Sequence, residues 1–394
     1  MRNIILTLLC LMLTALLLGQ VTYSEEILAA AQSGNPEGQF QLGMCYQDGL
    51  GIAKDPAEAV KWYTLAAEQG HPGAQNNLAY CHYNGLGTDV DKQQAVEWFR
   101  RAANQNVNSA QYGLGVCYFN GEGVTQNQRE AVKWYDMAAA GGNINAIYSL
   151  ARCYYDGTGV DQDKAAALRW FRQGADKNHI QSINDLAYCY KYGEGVEANP
   201  TEAAAWYAKA AAAGDASAQY NLALAYANGD GVQQNAEEAL KWYRMAADRQ
   251  YPEARYQIAL TYMSGPGRNA GETIKWLTSA AELGHREAQY MLGQIYFAGE
   301  MIPKDMAEGA KWYLRAADQG HASAQYEIGN CYAFGEGVAE NAYEAFFWYS
   351  LAASNGETDA EQARGLLSSM FTAQDIDNIL QRAESWYSQH YSEQ

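Results

Sequence analysis

Proline is scarce in this chain, with 7 residues in 394, as an extended helical architecture requires, because a proline inside a helix removes a hydrogen bond and clashes with the preceding turn. Cations are also under-represented: 27 Lys and Arg face 45 Asp and Glu, a formal charge of -18. A field of that sign repels phosphate backbones and argues against nucleic acid as a ligand. There are only 6 His and 7 Cys, with no His-x-x-x-His and no Cys-x-x-Cys, which removes the usual zinc spacings. The Gly-x-Gly stretches continue neither to a Walker pattern nor to Gly-x-Gly-x-x-Gly, so no phosphate loop is written here. "NGDGVQQNAEE" from Asn228 puts Tyr226 where a calcium loop needs its first carboxylate. No nucleophile stands beside a base in a recognisable pattern, so no catalytic, cofactor-binding or metal-binding residues are expected.

The longest apolar run, Ile4 to Leu18 after Arg2, is short for a membrane span and suits a secretory signal. Thr22 and Ser24 form a small-x-small site, predicting cleavage before Glu25 and a secreted or periplasmic protein with no membrane insertion afterwards. An uncleaved N-terminal anchor is the alternative. Cys10 lies inside the run, which argues against a lipoprotein.

What the chain has in abundance is repetition. Trp62, Trp98, Trp134, Trp170, Trp206, Trp242, Trp276, Trp312 and Trp348 follow one another at 36 residues, with one step of 34 before Trp276. A fixed period of this size marks a solenoid, whose units bury their apolar faces by stacking on neighbours. Seven residues before each Trp stands Asp or Asn, and three residues farther Glu or Gln in every unit except at Ala166. That spacing predicts a helix start with a reciprocal capping box. Eight residues after each Trp comes Gly or Asn, Gln250 excepted, predicting a left-handed residue that closes a helix of about 14 residues. The other half of the unit reads like "AQYGLGVCYFNGEGV" (110–124); on a helical wheel Ala110, Gln111, Leu114, Gly115, Cys117 and Tyr118 form one inward arc. A Gly-x-Gly loop, as at Gly121 and Gly123, joins the two helices. The seventh unit, "SGPGRNAGETIKW" from Ser264, is two loop residues short.

The unit "AQYxLGxxY…GxGV…EAVKWYxxAAxxG" resembles the Sel1-like repeat, a relative of the tetratricopeptide repeat, over nine copies. The resemblance implies an all-α, right-handed α/α superhelical solenoid. Its layout would be a signal peptide at 1–24, an N-terminal capping helix at 25–34, nine repeats at 35–356, and C-terminal capping helices at 357–394. It further implies a monomeric, non-catalytic scaffold that binds a protein or peptide along a concave groove. The acidic charge favours a partner with a basic surface. Two other roles come with the family: the cysteine-rich secreted branch, linked to β-lactam binding or hydrolysis, and an envelope spacer. That branch staples each helix pair with two cysteines, whereas this chain has one per unit, at Cys45, Cys81, Cys117, Cys153, Cys189 and Cys331. Equivalent positions in stacked helices lie about 8–10 Å apart, beyond the roughly 7 Å a disulfide spans, so these thiols are expected to be free and buried.

The groove face is the outer arc of the first helices, at positions -5, -4, -1, +2 and +3 relative to the cysteine. Position -5 carries an aromatic in seven of nine units, including Tyr112 and Tyr148. Either these rings contact a partner or they pack between adjacent first helices. Tyr80, Arg152, Tyr188 and Tyr192 depart from repeat usage and, with Tyr112 and Tyr148, are the expected partner contacts, favouring the N-terminal half of the groove.

Overall fold

The computed structural model describes residues 21–265 and 267–391; most of the expected signal segment, 1–20, lies outside them. Among the described residues the chain forms 21 α-helices, one short 3-10 turn and no strand. It divides into two compact units, one ending at Trp206 and one beginning at Tyr207.

In the first unit, helix Glu25–Gln32 precedes the first hairpin, Pro36–Asp48 with Pro56–Glu68. The third hairpin shows how each is made. Its first helix, Asn108–Asn120, buries Ala110, Gln111, Leu114, Gly115 and Cys117 and ends on left-handed Gly121, φ 75°. Its second helix, Gln128–Ala140, starts where the Asn127 side chain accepts the Glu130 amide at 3.1 Å. The reciprocal half of the predicted capping box is not made. The Asn127 amide donates instead to the Tyr118 carbonyl across the loop (2.8 Å), and Glu130 turns to Lys133 (2.8 Å). Tertiary tethering has taken the donor that the local motif would have used, and the same loop bond recurs from Asp55 to Tyr46 (2.8 Å) and from Asp163 to Tyr154 (2.9 Å).

The second unit repeats the design. In the short-looped hairpin Pro252–Ser264 with Ala270–Glu282, Gly265 is extended (φ -78°, ψ 174°) where its counterparts are left-handed. The tether survives, with the Asn269 amide 2.9 Å from the Tyr262 carbonyl. At the C-terminal end, Ala373–Tyr391 packs Ile379 and Ala383 onto the last repeat, with Trp386 6.3 Å from Trp348. Arg382, still about half exposed, forms a bidentate pair with Glu344 (2.7 and 3.1 Å) and lies over Phe347.

The residue closing each second helix is left-handed even where it is not glycine: Asn106, Asn178 and Gln250 have φ 62°, 61° and 62°. Gln250 is exposed and pays the steric penalty of that region with no local compensation from its side-chain type. Gln250→Gly should therefore raise stability by about 1 kcal/mol, read as a higher urea midpoint; an unchanged or lower midpoint would contradict it.

The four histidines that follow these closing residues have a role that the spacing alone did not disclose. His71, His179, His285 and His321 are N-caps whose Nδ1 accepts an amide three residues on, at 3.1 to 3.3 Å. This requires an unprotonated Nδ1. Burial lowers the His285 pKa against the opposing pull of Glu253 and Glu287. An imidazole that resists protonation when folded contributes stability present above its unfolded pKa of about 6.5 and lost as pH falls through the folded value. His285→Asn, a cap that does not titrate, should flatten the decline of melting temperature between neutral and mildly acidic pH; an identical decline would exclude His285 as a contributor.

Candidate functional site

The -5 aromatics are built into the repeat packing. Tyr112 lies 5.8 Å from Tyr135, and Tyr148 sits between Phe171 (6.1 Å) and the cap ring of His179 (5.1 Å). Tyr290 has the same neighbours in the second unit, Tyr313 at 5.7 Å and His321 at 4.4 Å. These rings are half-buried, and Tyr148 and Tyr290 each sit between a second helix of their own repeat and the helix cap of the next. Tyr80 is also half-buried, edge-on to Phe99 at 5.0 Å, and burial raises its phenol pKa.

Arg152, Tyr188 and Tyr192 form a different environment. Arg152 is on the first helix of the fourth repeat, Ile144–Asp156, while Tyr188 and Tyr192 are on that of the fifth, Ile180–Tyr192. One helical turn separates the two tyrosines, so their rings meet, 4.5 Å apart. They remain 44% and 55% exposed, unlike the ladder rings. Arg152 reaches Asp156 one turn along its own helix (3.0 and 3.3 Å) and faces Asp185 of the next repeat at 3.7 Å. Its guanidinium lies 5.3 Å from the Tyr155 ring.

Two open recesses flank Arg152. One, about 230 Å³, is lined by Arg152, Tyr155, Phe171, Asp185 and Tyr188. The other, about 210 Å³, lies among Phe119, Tyr135, Tyr148, Arg152 and Asp156. Burial pushes the Asp185 carboxyl up, and Arg152 and the Tyr148 hydroxyl offset only part of that rise. Burial also pushes the phenols of Tyr148 and Tyr155 up to about 12, with Asp185 and Glu194 respectively adding to the effect. Asp156, Asp185 and Tyr155 were not singled out from sequence, although all three fall on the same outer register of the first helices; the signal was an acid at -4 of one unit following an arginine at -1 of the unit before it.

The six cysteines from Cys45 to Cys331 are buried and unpaired, and burial pushes the Cys117 thiol up to about 12. Such thiols are poor nucleophiles and metal ligands. Among the described residues no group of three or more His, Cys, Asp and Glu is arranged to hold a metal ion. No described helix is long and apolar enough to cross a membrane.

A family profile described as Sel1 repeat matches nine consecutive segments, 36–71, 72–107, 108–143, 144–179, 180–215, 216–251, 252–285, 286–321 and 322–357. Among solved structures, a Sel1 repeat protein from Oxalobacter formigenes is 30% identical with a TM-score of 0.66, over 80% of this chain and 94% of that one. The protein c5321, described as a protective antigen present in uropathogenic Escherichia coli strains displaying an SLR fold, is 29% identical with a TM-score of 0.63, over 93% and 87% of the two chains. No curated protein matches the chain.

Proposed function

Because the chain belongs to the Sel1 repeat family, whose members generally mediate contacts between proteins, we propose that it is an exported, monomeric, non-catalytic scaffold that holds a protein or peptide along the groove face of its first helices. The observation that carries this reading is the uncovered Tyr188–Tyr192 pair beside the Arg152 recess. Paired tyrosines offer rigid apolar area with a hydroxyl at the rim, the composition of binding hot spots. The formal charge of -18 favours a basic partner through steering. Export is supported by the apolar run from Ile4 to Leu18. A partner retained by the wild-type protein from its native compartment should be lost when Arg152, Tyr188 and Tyr192 are changed together to Ala, with helicity and melting unchanged. Retention of the same proteins by the triple variant would refute the groove reading.

A further inference from the structure

Resting on that reading, we infer that the recess between the first helices of repeats four and five seats one guanidinium or ammonium group of the partner against Asp185. Arg152 is shared unequally between its two acidic neighbours. Arg152 faces two carboxylates, and its short contacts go to Asp156, at 3.0 and 3.3 Å. Asp185 is left at 3.7 Å from the guanidinium, and its Oδ2, shielded from solvent, makes no hydrogen bond. The Asp185 side chain is still 28% exposed and lines the recess, and a second cation at that solvent-facing part would supply the short, charge-assisted bonds that Arg152 directs elsewhere.

The walls suit the same group. Tyr155, Phe171 and Tyr188 line the recess, and aromatic faces attract cations. Existing contacts show this face already receiving them: Lys164 lies 5.3 Å from the Tyr155 ring and Lys191 5.1 Å from the Tyr192 ring. At about 230 Å³ the space admits a side chain and is smaller than the roughly 300–1,000 Å³ of pockets for drug-sized ligands. The exposed Tyr188 and Tyr192 beside it would cover the adjoining backbone of an extended segment. An anionic group fits poorly: it would have to displace Asp156 from Arg152 while facing Asp185.

The test uses the full mature chain and two fluorescein-labelled pentapeptides, Gly-Gly-Arg-Gly-Gly and its citrulline counterpart, which keeps the shape and removes the charge, followed by fluorescence anisotropy at neutral pH. The arginine peptide should bind about tenfold tighter than the citrulline peptide. Asp185→Asn should abolish that preference, and Tyr188→Ala, at an exposed site, should weaken arginine-peptide binding several-fold without altering the fold. Arg152→Gln should tighten binding, because it removes the competing cation. Loss of arginine-peptide binding in Arg152→Gln would show that Arg152 supports the contact instead of competing for Asp185 and would overturn the inference. Equal binding of the two peptides, or binding of neither, would overturn it too. The scaffold reading would survive that result if a partner lost in the Arg152, Tyr188 and Tyr192 triple variant were still captured by the wild type.

Discussion

Gly123→Ala should destabilise the protein by about 3 kcal/mol or more, combining a left-handed penalty with overpacking against backbone. Gly123 is the second glycine of its loop, with φ 69°, and a methyl carbon there would sit 2.1 Å from the Lys92 carbonyl oxygen. Lys92 opens the second helix of the preceding repeat, so the clash falls on the joint between repeats two and three. Neither backbone can yield without moving a helix start. Gly87 meets the Pro56 carbonyl at the same 2.1 Å, and Gly337 meets that of Met306 at 2.0 Å. The urea midpoint should fall, and amides around Gln93 and Gly123 should exchange faster than those of the last two repeats, since solenoid repeats feel chiefly their neighbours. Near wild-type stability would show that the loop can leave the joint at little cost.

Phe171→Ala should cost about 3–5 kcal/mol, the range for removing a buried aromatic. Phe171 is fully buried on the second helix of repeat four, and its ring lies 6.1 Å from Tyr148 and 6.2 Å from Tyr155. It also floors the Arg152 recess. Removing it should therefore loosen the cation seat as well as the repeat, while Phe171→Leu, which keeps most of the volume, should cost roughly half as much. Hydrogen exchange separates the effects: protection should fall in 144–215 and hold in 286–357. A uniform loss of protection would mean that the chain unfolds as one block rather than repeat by repeat.

The hairpins themselves were legible because their determinants are local. Asn127 and Glu130 are three residues apart, Cys117 and Gly121 four, and such short separations specify caps and helix ends in any stack. The joints were less legible. The Gly-x-Gly loop reads in sequence as conformational freedom, whereas Gly123 is also required by the backbone of another repeat. Glu130 reads as the return half of a capping box, yet its partner is Lys133 because Tyr118 holds the Asn127 amide. Histidines at 71, 179, 285 and 321 share one position after the helix-closing residue, but spacing does not say that each caps the next helix and packs against an aromatic of the repeat before.

The outer face of the first helices divides in the same way. Its register follows from helical periodicity, so Arg152, Tyr188 and Tyr192 could be placed on it from spacing alone. Only closure of the hairpin decided that Tyr112 and Tyr148 would be wedged against second-helix rings, and only stacking of repeats that Asp185 would arrive 3.7 Å from Arg152. A repeat's own bonds close over a few residues and are written in its letters. Contacts over 30 or more residues depend on how neighbouring hairpins nest, which short-range spacing does not encode.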